Sequence, residues 1–177
     1  MGERALAAVR LEDAEEGGRW ALYTSQWGGS DPVLGRVFAA PAGGSGPGRA
    51  AEPQDRLTAL ASVSWRPTGT VTGRLVEAVD FLGTSVVYVI APRVTVWQAL
   101  WFGFPLAESA PAPTDGVLVR ARSIAGIRTR RRRLRQAKRL LSPAVAAGAL
   151  PPADARRLLV GVLHSRVRVP STQSGPL

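Results

Sequence analysis

Apolar and polar side chains alternate in a short run near the start of the chain. Residues 19–26 alternate in this way, a mostly apolar run at 4–12 precedes them, and an acidic segment ending in two glycines joins the two. Alternation with a period of two is typical of strands with one buried face, and a Gly-containing loop favours a hairpin. Asp31 and Pro32 then mark a helix start, so we predict an antiparallel hairpin with a short helix packed on it.

Several further apolar segments follow in the middle of the chain. Residues 73–82 carry apolar side chains at helical spacing and predict a helix, while residues 57–65 fit a strand or a short helix. The β-branched run 86–90 is uninterrupted, which is typical of a central strand covered on both sides. Beyond it, large apolar side chains at 95–104 recur at roughly helical intervals. This spacing predicts a helix that covers the sheet.

The last third of the chain has a helical pattern. Residues 116–122 fit either a last strand or the lead into a helix, and from Ile127 onward apolar residues recur on one helical face. Gly148 is placed to end this helix, and Pro151-Pro152 to start another, whose predicted packing stripe includes Leu158. We therefore predict two helices that form an antiparallel hairpin.

These elements predict an α+β fold, in which an antiparallel sheet with packed helices is followed by a basic C-terminal helical hairpin. The predicted boundaries are 1–115 for the α+β domain, 116–169 for the helical hairpin and 170–177 for a flexible tail. Residues 41–53 are rich in Gly, Pro and Ala, which indicates a mobile surface loop inside the first domain.

Composition narrows the class of protein. The 177 residues include 45% hydrophobic residues and no cysteine. Such a chain is too apolar for a disordered segment, and without cysteine it has no disulfide scaffold, thiolate zinc site or cysteine nucleophile. Neither a secretory signal nor a membrane span is expected, because the longest apolar stretch, 81–107, is interrupted at Pro92-Arg93. We expect a cytoplasmic protein that is not embedded in a membrane.

The formal charge of +10 is unevenly distributed. Residues 1–115 hold 9 basic and 12 acidic residues, whereas residues 116–177 hold 14 basic residues and a single acid, Asp154. The basic character of the chain therefore belongs to its last third.

An arginine-rich run in the predicted hairpin concentrates this charge. Its cations are Arg128, Arg130, Arg131, Arg132, Arg133, Arg135, Lys138 and Arg139. Eight cations in twelve residues repel one another, and no carboxylate between Asp115 and Asp154 relieves that repulsion. Phosphates can stabilise such a face, so we predict nucleic-acid binding, to DNA or RNA, with low sequence specificity. Alternatives are an idle solvated helix, arginines paired with acids of the first domain, an anionic membrane surface or an acidic protein partner.

No constellation of acid, base and nucleophile is visible in the sequence. His164 is the only histidine, and nothing near it completes a catalytic or metal-binding set. We therefore predict no catalytic residue, no metal ligand and no cofactor. An alternative function is a small enzyme or ligand-binding domain with its site at the Trp27-Gly28-Gly29 turn. Its pocket would be formed by Ser25, Gln26 and Trp27, together with Glu77 or Asp80.

Two motifs resemble a known family. The opening Met1-Gly2-Glu3-Arg4-Ala5-Leu6 and the turn Ser25-Gln26-Trp27-Gly28 are similar to those of an uncharacterised family best known from haloarchaea, a domain of unknown function. Shorter similarities lie at 79–82 and 100–103. The resemblance implies no activity. Where that family tends to place a histidine before Trp-Gly, this chain has Gln26, so a role of that histidine does not transfer.

Overall fold

The computed structural model of the chain describes residues 3–12, 18–39, 64–91, 94–104 and 115–164. Its elements, in chain order, are β1 (Ala5–Glu12), β2 (Arg19–Ser25), α1 (Asp31–Ala39), β3 (Arg66–Thr72), a short 3₁₀ helix (Leu75–Ala78), β4 (Val86–Ile90), β5 (Val94–Trp101), β6 (Gly116–Arg120), α2 (Ile124–Ala146) and α3 (Pro152–His164). The α+β class predicted from the sequence is confirmed. The predicted loop 41–53 and tail 170–177 lie outside the described residues.

The strands form one sheet in the order β3-β2-β1-β4-β5-β6. The β1–β4 pair is parallel, and the other neighbouring strands are antiparallel. The sheet is therefore mixed, whereas the sequence predicted an antiparallel one. The predicted hairpin of β1 and β2 is correct. The direction of β4 was missed because an apolar run shows that a strand is buried but not which way it runs beside its neighbour.

The two parallel strands at the centre of the sheet are covered on both faces. Along β1, alternate residues point to opposite faces, and both Ala7 and Ala8 are fully buried. One face carries the cluster that includes Ala5, Val9, Tyr88, Leu34 of α1 and Ile127 of α2. The other carries the cluster that includes Leu6, Leu22, Val87, Val79 and Phe81. We call these the helix-side core and the opposite core.

The segment predicted as a covering helix at 95–104 is instead mainly the strand β5, which pairs with both β4 and β6. Val96 and Leu100 are buried on the helix side, while Ala99 packs in the opposite core with Trp97. Both faces of the strand are largely apolar, and its polar residues Thr95 and Gln98 lie on opposite faces, so no period of two is visible. Large side chains three and four residues apart then resemble a helical stripe.

The helix predicted at 73–82 is also shorter than expected. Within this range only the four residues Leu75–Ala78 are helical, and they form a 3₁₀ helix. The side chain of Asp80 accepts hydrogen bonds from the backbone N–H groups of Leu82 and Gly83, both at 3.0 Å, and so builds a turn where a helix would continue. The strand β3 was not predicted, because it is exposed along most of its length and has no apolar alternation. Most of the element predicted at 57–65 lies outside the described residues.

The segment 116–164 shares its core with the earlier part of the chain. The strand β6 lies at the edge of the sheet beside β5. Of the two alternatives predicted for 116–122, the strand is therefore correct. Leu100 and Phe102 pack in one cluster with Leu134 of α2 and Leu159 of α3. The segment 116–164 thus contributes a strand to the same sheet and two helices to a core shared with β5.

The end of α2 follows the signal predicted at Gly148, whereas its start lies three residues before the predicted Ile127. Ser123 caps its start, since the Ser123 hydroxyl accepts a hydrogen bond from the N–H of Gly126 at 3.1 Å. Gly148 lies just beyond its end with φ +71°, a conformation that favours glycine. The two helices α2 and α3 contact each other. Leu158, predicted in the packing stripe of α3, is instead 52% exposed.

A buried polar side chain, Gln98, links β5 to α2. It is fully buried; its amide nitrogen donates to the carbonyl of Ile127 at 3.1 Å, and its amide oxygen accepts from Nε of Arg130 at 2.8 Å. A buried amide is tolerated when both its ends are hydrogen-bonded. Gln98 therefore fixes where α2 lies on the sheet.

We expect Gln98→Ala to lower the free energy of unfolding by about 2–4 kcal/mol, because it leaves a cavity and removes both hydrogen bonds. Gln98→Met keeps most of the volume and should cost about 1–3 kcal/mol, which isolates the hydrogen-bond contribution. Urea denaturation measures both values. The surface variant Arg19→Gln serves as control, and a Gln98→Ala value as small as the control would contradict the role given to this amide.

Candidate nucleic-acid interface

The arginine-rich run lies on α2, whose apolar side faces the sheet and α3. Ile127, Leu134 and Val145 are the buried residues of this helix. Positions on either side of this apolar stripe point along the surface of the sheet, and the remaining positions point outward. The eight predicted nucleic-acid-binding residues consequently divide into two sets with different surroundings.

Arg128 and Arg131 form ion pairs with the N-terminal part of the chain. Arg128 pairs with Asp31 at the start of α1, with its Nε 3.0 Å from the carboxylate, and Arg131 pairs with Glu3. The Arg128–Asp31 pair is largely exposed, so its contribution to stability is small. The side chains of Arg131 and Glu3 are only 23% and 36% exposed, which makes this the more buried of the two pairs.

Arg130 and Lys138 point toward β5 and its end. Arg130 donates to Gln98 and, at 3.5 Å, to the carbonyl of Arg120, and burial lowers its pKa. Lys138 donates to the carbonyl of Gly103 at 2.8 Å, and its ammonium lies 4.0 Å from the centre of the Trp101 ring. Burial lowers the pKa of Lys138 to about 8. Half of the predicted interface thus makes contacts within the fold.

The other four cations form what we call the outer arginine set, Arg132, Arg133, Arg135 and Arg139. All four are exposed, and none of them pairs with a residue in the part of the chain that the structure describes. Arg132, Arg135 and Arg139 are three and four residues apart, so they lie on one side of the helix. No carboxylate lies on α2, and Leu140, 80% exposed, lies beside the set. This side of α2 is an unneutralised cationic surface.

The residues of the alternative site line a groove at one end of the sheet. The groove has a volume of about 930 Å³, and Ser25, Gln26 and Trp27 are among its lining residues. Asp80 also lines it, whereas Glu77 does not. The structure therefore brings together the three residues predicted from sequence and one of the two proposed carboxylates.

The glycines of the Trp27-Gly28-Gly29 turn hold this end of the sheet closed. A Cβ at Gly28 would lie 2.8 Å from the Cβ of Ala5, and a Cβ at Gly29 would lie 2.9 Å from the carbonyl oxygen of Glu3. The turn is also anchored by the hydroxyl of Tyr88, which donates to the carbonyl of Gly28 at 2.6 Å. The glycine side of the turn is thus filled, and the groove lies on the side of Trp27, whose ring is 62% exposed.

Two arginines of the groove were missed by the sequence analysis. Arg4 and Arg66 both line it, although they lie far apart in the chain. Arg66 begins β3, the strand that sequence patterning did not predict, and Arg4 immediately precedes β1. Only the pairing of β1, β2 and β3 brings them to the same end of the sheet.

Comparison of the chain with protein-family models, with curated proteins and with solved structures finds no match. The resemblance to a haloarchaeal family therefore stays a prediction. Within the described ranges, the helices are too short or too polar to cross a bilayer. Those same ranges contain no group of three or more His, Asp or Glu side chains that could hold a metal ion.

The lowered pKa of Lys138 predicts a pH dependence of stability. An unfolded lysine keeps its proton up to about pH 10.4, whereas Lys138 in the folded chain loses it near a pKa of about 8. Above pH 8 the unfolded chain therefore binds more protons at this residue, and its contribution to the free energy of unfolding rises with pH. Urea denaturation between pH 7.5 and 9.5 should show a steeper rise for the wild type than for Lys138→Met. Parallel pH profiles would contradict this assignment.

Proposed function

We propose that the chain is a non-catalytic nucleic-acid-binding protein whose helix α2 contacts phosphates with little sequence preference. The observation that carries this proposal is the outer arginine set, which is exposed and has no carboxylate neighbour on its helix. Four cations in such an arrangement attract a polyanion, because each neutralised phosphate releases condensed counterions. The formal charge of +10 adds long-range attraction.

The dimensions of the surface fit a duplex backbone. At a rise of about 1.5 Å per residue, Arg132 to Arg139 span about 10 Å of α2. Double-stranded DNA carries one charge per roughly 1.7 Å of axis when both strands are counted, so this length of duplex carries about six phosphates, more than the outer arginine set can neutralise. The remaining arginines of the run are held by contacts within the fold. The proposed contact is therefore small, and we expect a Kd of about 10⁻⁴–10⁻⁶ M, the range of non-specific binding.

The double variant Arg135→Gln/Arg139→Gln tests this surface. Two lost phosphate contacts should weaken binding and reduce the slope of log Kd against log salt concentration by about 2. Fluorescence anisotropy with a 20-base-pair duplex, between 50 and 200 mM NaCl, measures both changes. Two duplexes of unrelated sequence should give the same result, since phosphates carry no sequence information.

A matched control removes the same charge elsewhere. Arg19 and Arg74 are exposed, lie outside α2 and form no ion pair within the described ranges. Arg19→Gln/Arg74→Gln lowers the net charge by the same amount and should leave the salt slope nearly unchanged. Equal slopes for the two double variants would show that only overall charge matters. A salt-independent Kd for the wild type would refute phosphate binding altogether.

A second candidate function is docking of an acidic protein, and Leu140 is the observation that favours it. Leu140 is 80% exposed beside arginines, and a protein partner would bury this leucine while an arginine anchors the contact. Leu140 adds nothing to phosphate binding. The two functions therefore predict different effects when Leu140 is replaced.

Leu140→Ser separates the two functions. Under the nucleic-acid proposal this variant should bind the duplex within twofold of wild type, because no phosphate contact is lost. With an acidic peptide of alternating Glu and Leu as probe, a protein-docking surface should lose about tenfold in affinity, since burying one leucine contributes about 1.5–3 kcal/mol. The anisotropy measurement with labelled peptide and labelled duplex compares the two directly.

A further inference from the structure

We propose that the groove beside Trp27 binds a small molecule that carries both a phosphate and a planar ring, as a mononucleotide does. This site is separate from the surface of α2 and lies on the other face of the sheet. Leu6 and Leu22 line the groove and belong to the opposite core, whereas α2 packs on the helix-side core. The proposal therefore does not depend on the function assigned to the outer arginine set.

The register of the strands places the two groove arginines near each other. Leu6 of β1 is paired with Thr24 of β2, and Thr24 is paired with Arg66 of β3. Neighbouring strands are about 4.8 Å apart, so the backbone of Arg66 lies roughly 10 Å from that of Leu6. Arg4 precedes Leu6 by two residues and therefore points to the same face. Long guanidinium side chains can converge on one ligand across this distance.

The charge of the groove favours an anion. Arg4 and Arg66 are exposed, and neither forms an ion pair within the described residues. Asp80 is the opposing charge in the lining, and its Oδ1 already accepts two backbone hydrogen bonds. Two guanidinium groups against one engaged carboxylate leave the groove positive. Guanidinium groups bind phosphate oxygens through charge-assisted, often bidentate hydrogen bonds.

The exposed indole of Trp27 favours a ligand that also carries a planar ring. A ring that is 62% exposed at the rim of a cationic groove offers a flat apolar surface to a planar group. Stacking of a base on such a ring strengthens binding by roughly tenfold. Gln26, also exposed in the lining, provides both an amide donor and an acceptor for a base edge. The volume of about 930 Å³ lies within the range of about 300–1,000 Å³ typical of small-molecule sites.

Isothermal titration calorimetry with adenosine monophosphate, adenosine and inorganic phosphate tests the site. The monophosphate should bind at least tenfold more tightly than either fragment, because only the monophosphate uses both the arginines and the indole. Arg66→Gln should weaken the monophosphate about tenfold, as expected for the loss of a charge-assisted hydrogen bond. Equal affinities for the monophosphate and for adenosine would overturn the proposal.

Variants of Trp27 separate stacking from a structural effect. Trp27→Ala should weaken the monophosphate about tenfold and leave inorganic phosphate unchanged, while Trp27→Phe, which keeps a ring, should restore most of the affinity. The α2 variant Arg135→Gln/Arg139→Gln should bind the monophosphate like wild type. If that variant loses monophosphate binding while Arg66→Gln retains it, the groove is not the site.

The same chemistry exists at the end of a nucleic-acid strand. A 5′-phosphorylated trinucleotide, compared with its unphosphorylated form and with the free monophosphate, distinguishes the two sources. Tighter binding of the phosphorylated trinucleotide than of the monophosphate identifies a strand end as the ligand, and weaker binding identifies a free nucleotide. If removing the phosphate changes the affinity of neither the trinucleotide nor the mononucleotide, the proposed phosphate contact is refuted.

Discussion

The position of α2 on the sheet depends on one polar contact inside an otherwise apolar core. Gln98 lies in the middle of β5 and spans to α2, where it binds the Ile127 carbonyl and the Arg130 guanidinium. An unpaired amide buried at this place would be strongly unfavourable, so sheet and helix are held in the one arrangement that satisfies it. The ion pairs of Arg128 and Arg131 and the contact of Lys138 follow from that arrangement.

This docking also decides what the arginine-rich run can do. In an isolated helix all eight cations would repel one another, but in the fold four of them face acceptors or carboxylates of the sheet and of α1. Partial burial at these positions lowers the pKa of Arg130 and of Lys138. The outer arginine set stays exposed and forms no ion pair within the described residues. The same run therefore makes contacts within the fold on one side of the helix and leaves a cationic surface on the other.

The mixed sheet separates two chemically different surfaces. Its helix side carries α1, α2 and the cationic surface, while the ends of β1, β2 and β3 on the other side form a groove with an exposed indole and two arginines. The groove exists because β3 joins the edge beside β2, a pairing that brings Arg66 to Arg4. Both surfaces carry exposed arginines, but only those of the second surface line a groove.

The local sequence was enough to predict the α+β class, the β1–β2 hairpin, the strand Val86–Ile90, the end of α2 and the start of α3, because alternation, β-branched runs and Gly or Pro signals are local. It also determined where the positive charge lies. Tertiary structure decided that 94–101 is a strand and that β1 and β4 are parallel. Tertiary structure also decided which arginines remain free, because contacts with Glu3, Asp31 and Gln98 join residues far apart in the chain. No local pattern predicts which arginines stay exposed. That distinction arises only when α2 packs on the sheet, so that one side of the helix contacts protein and the other contacts water.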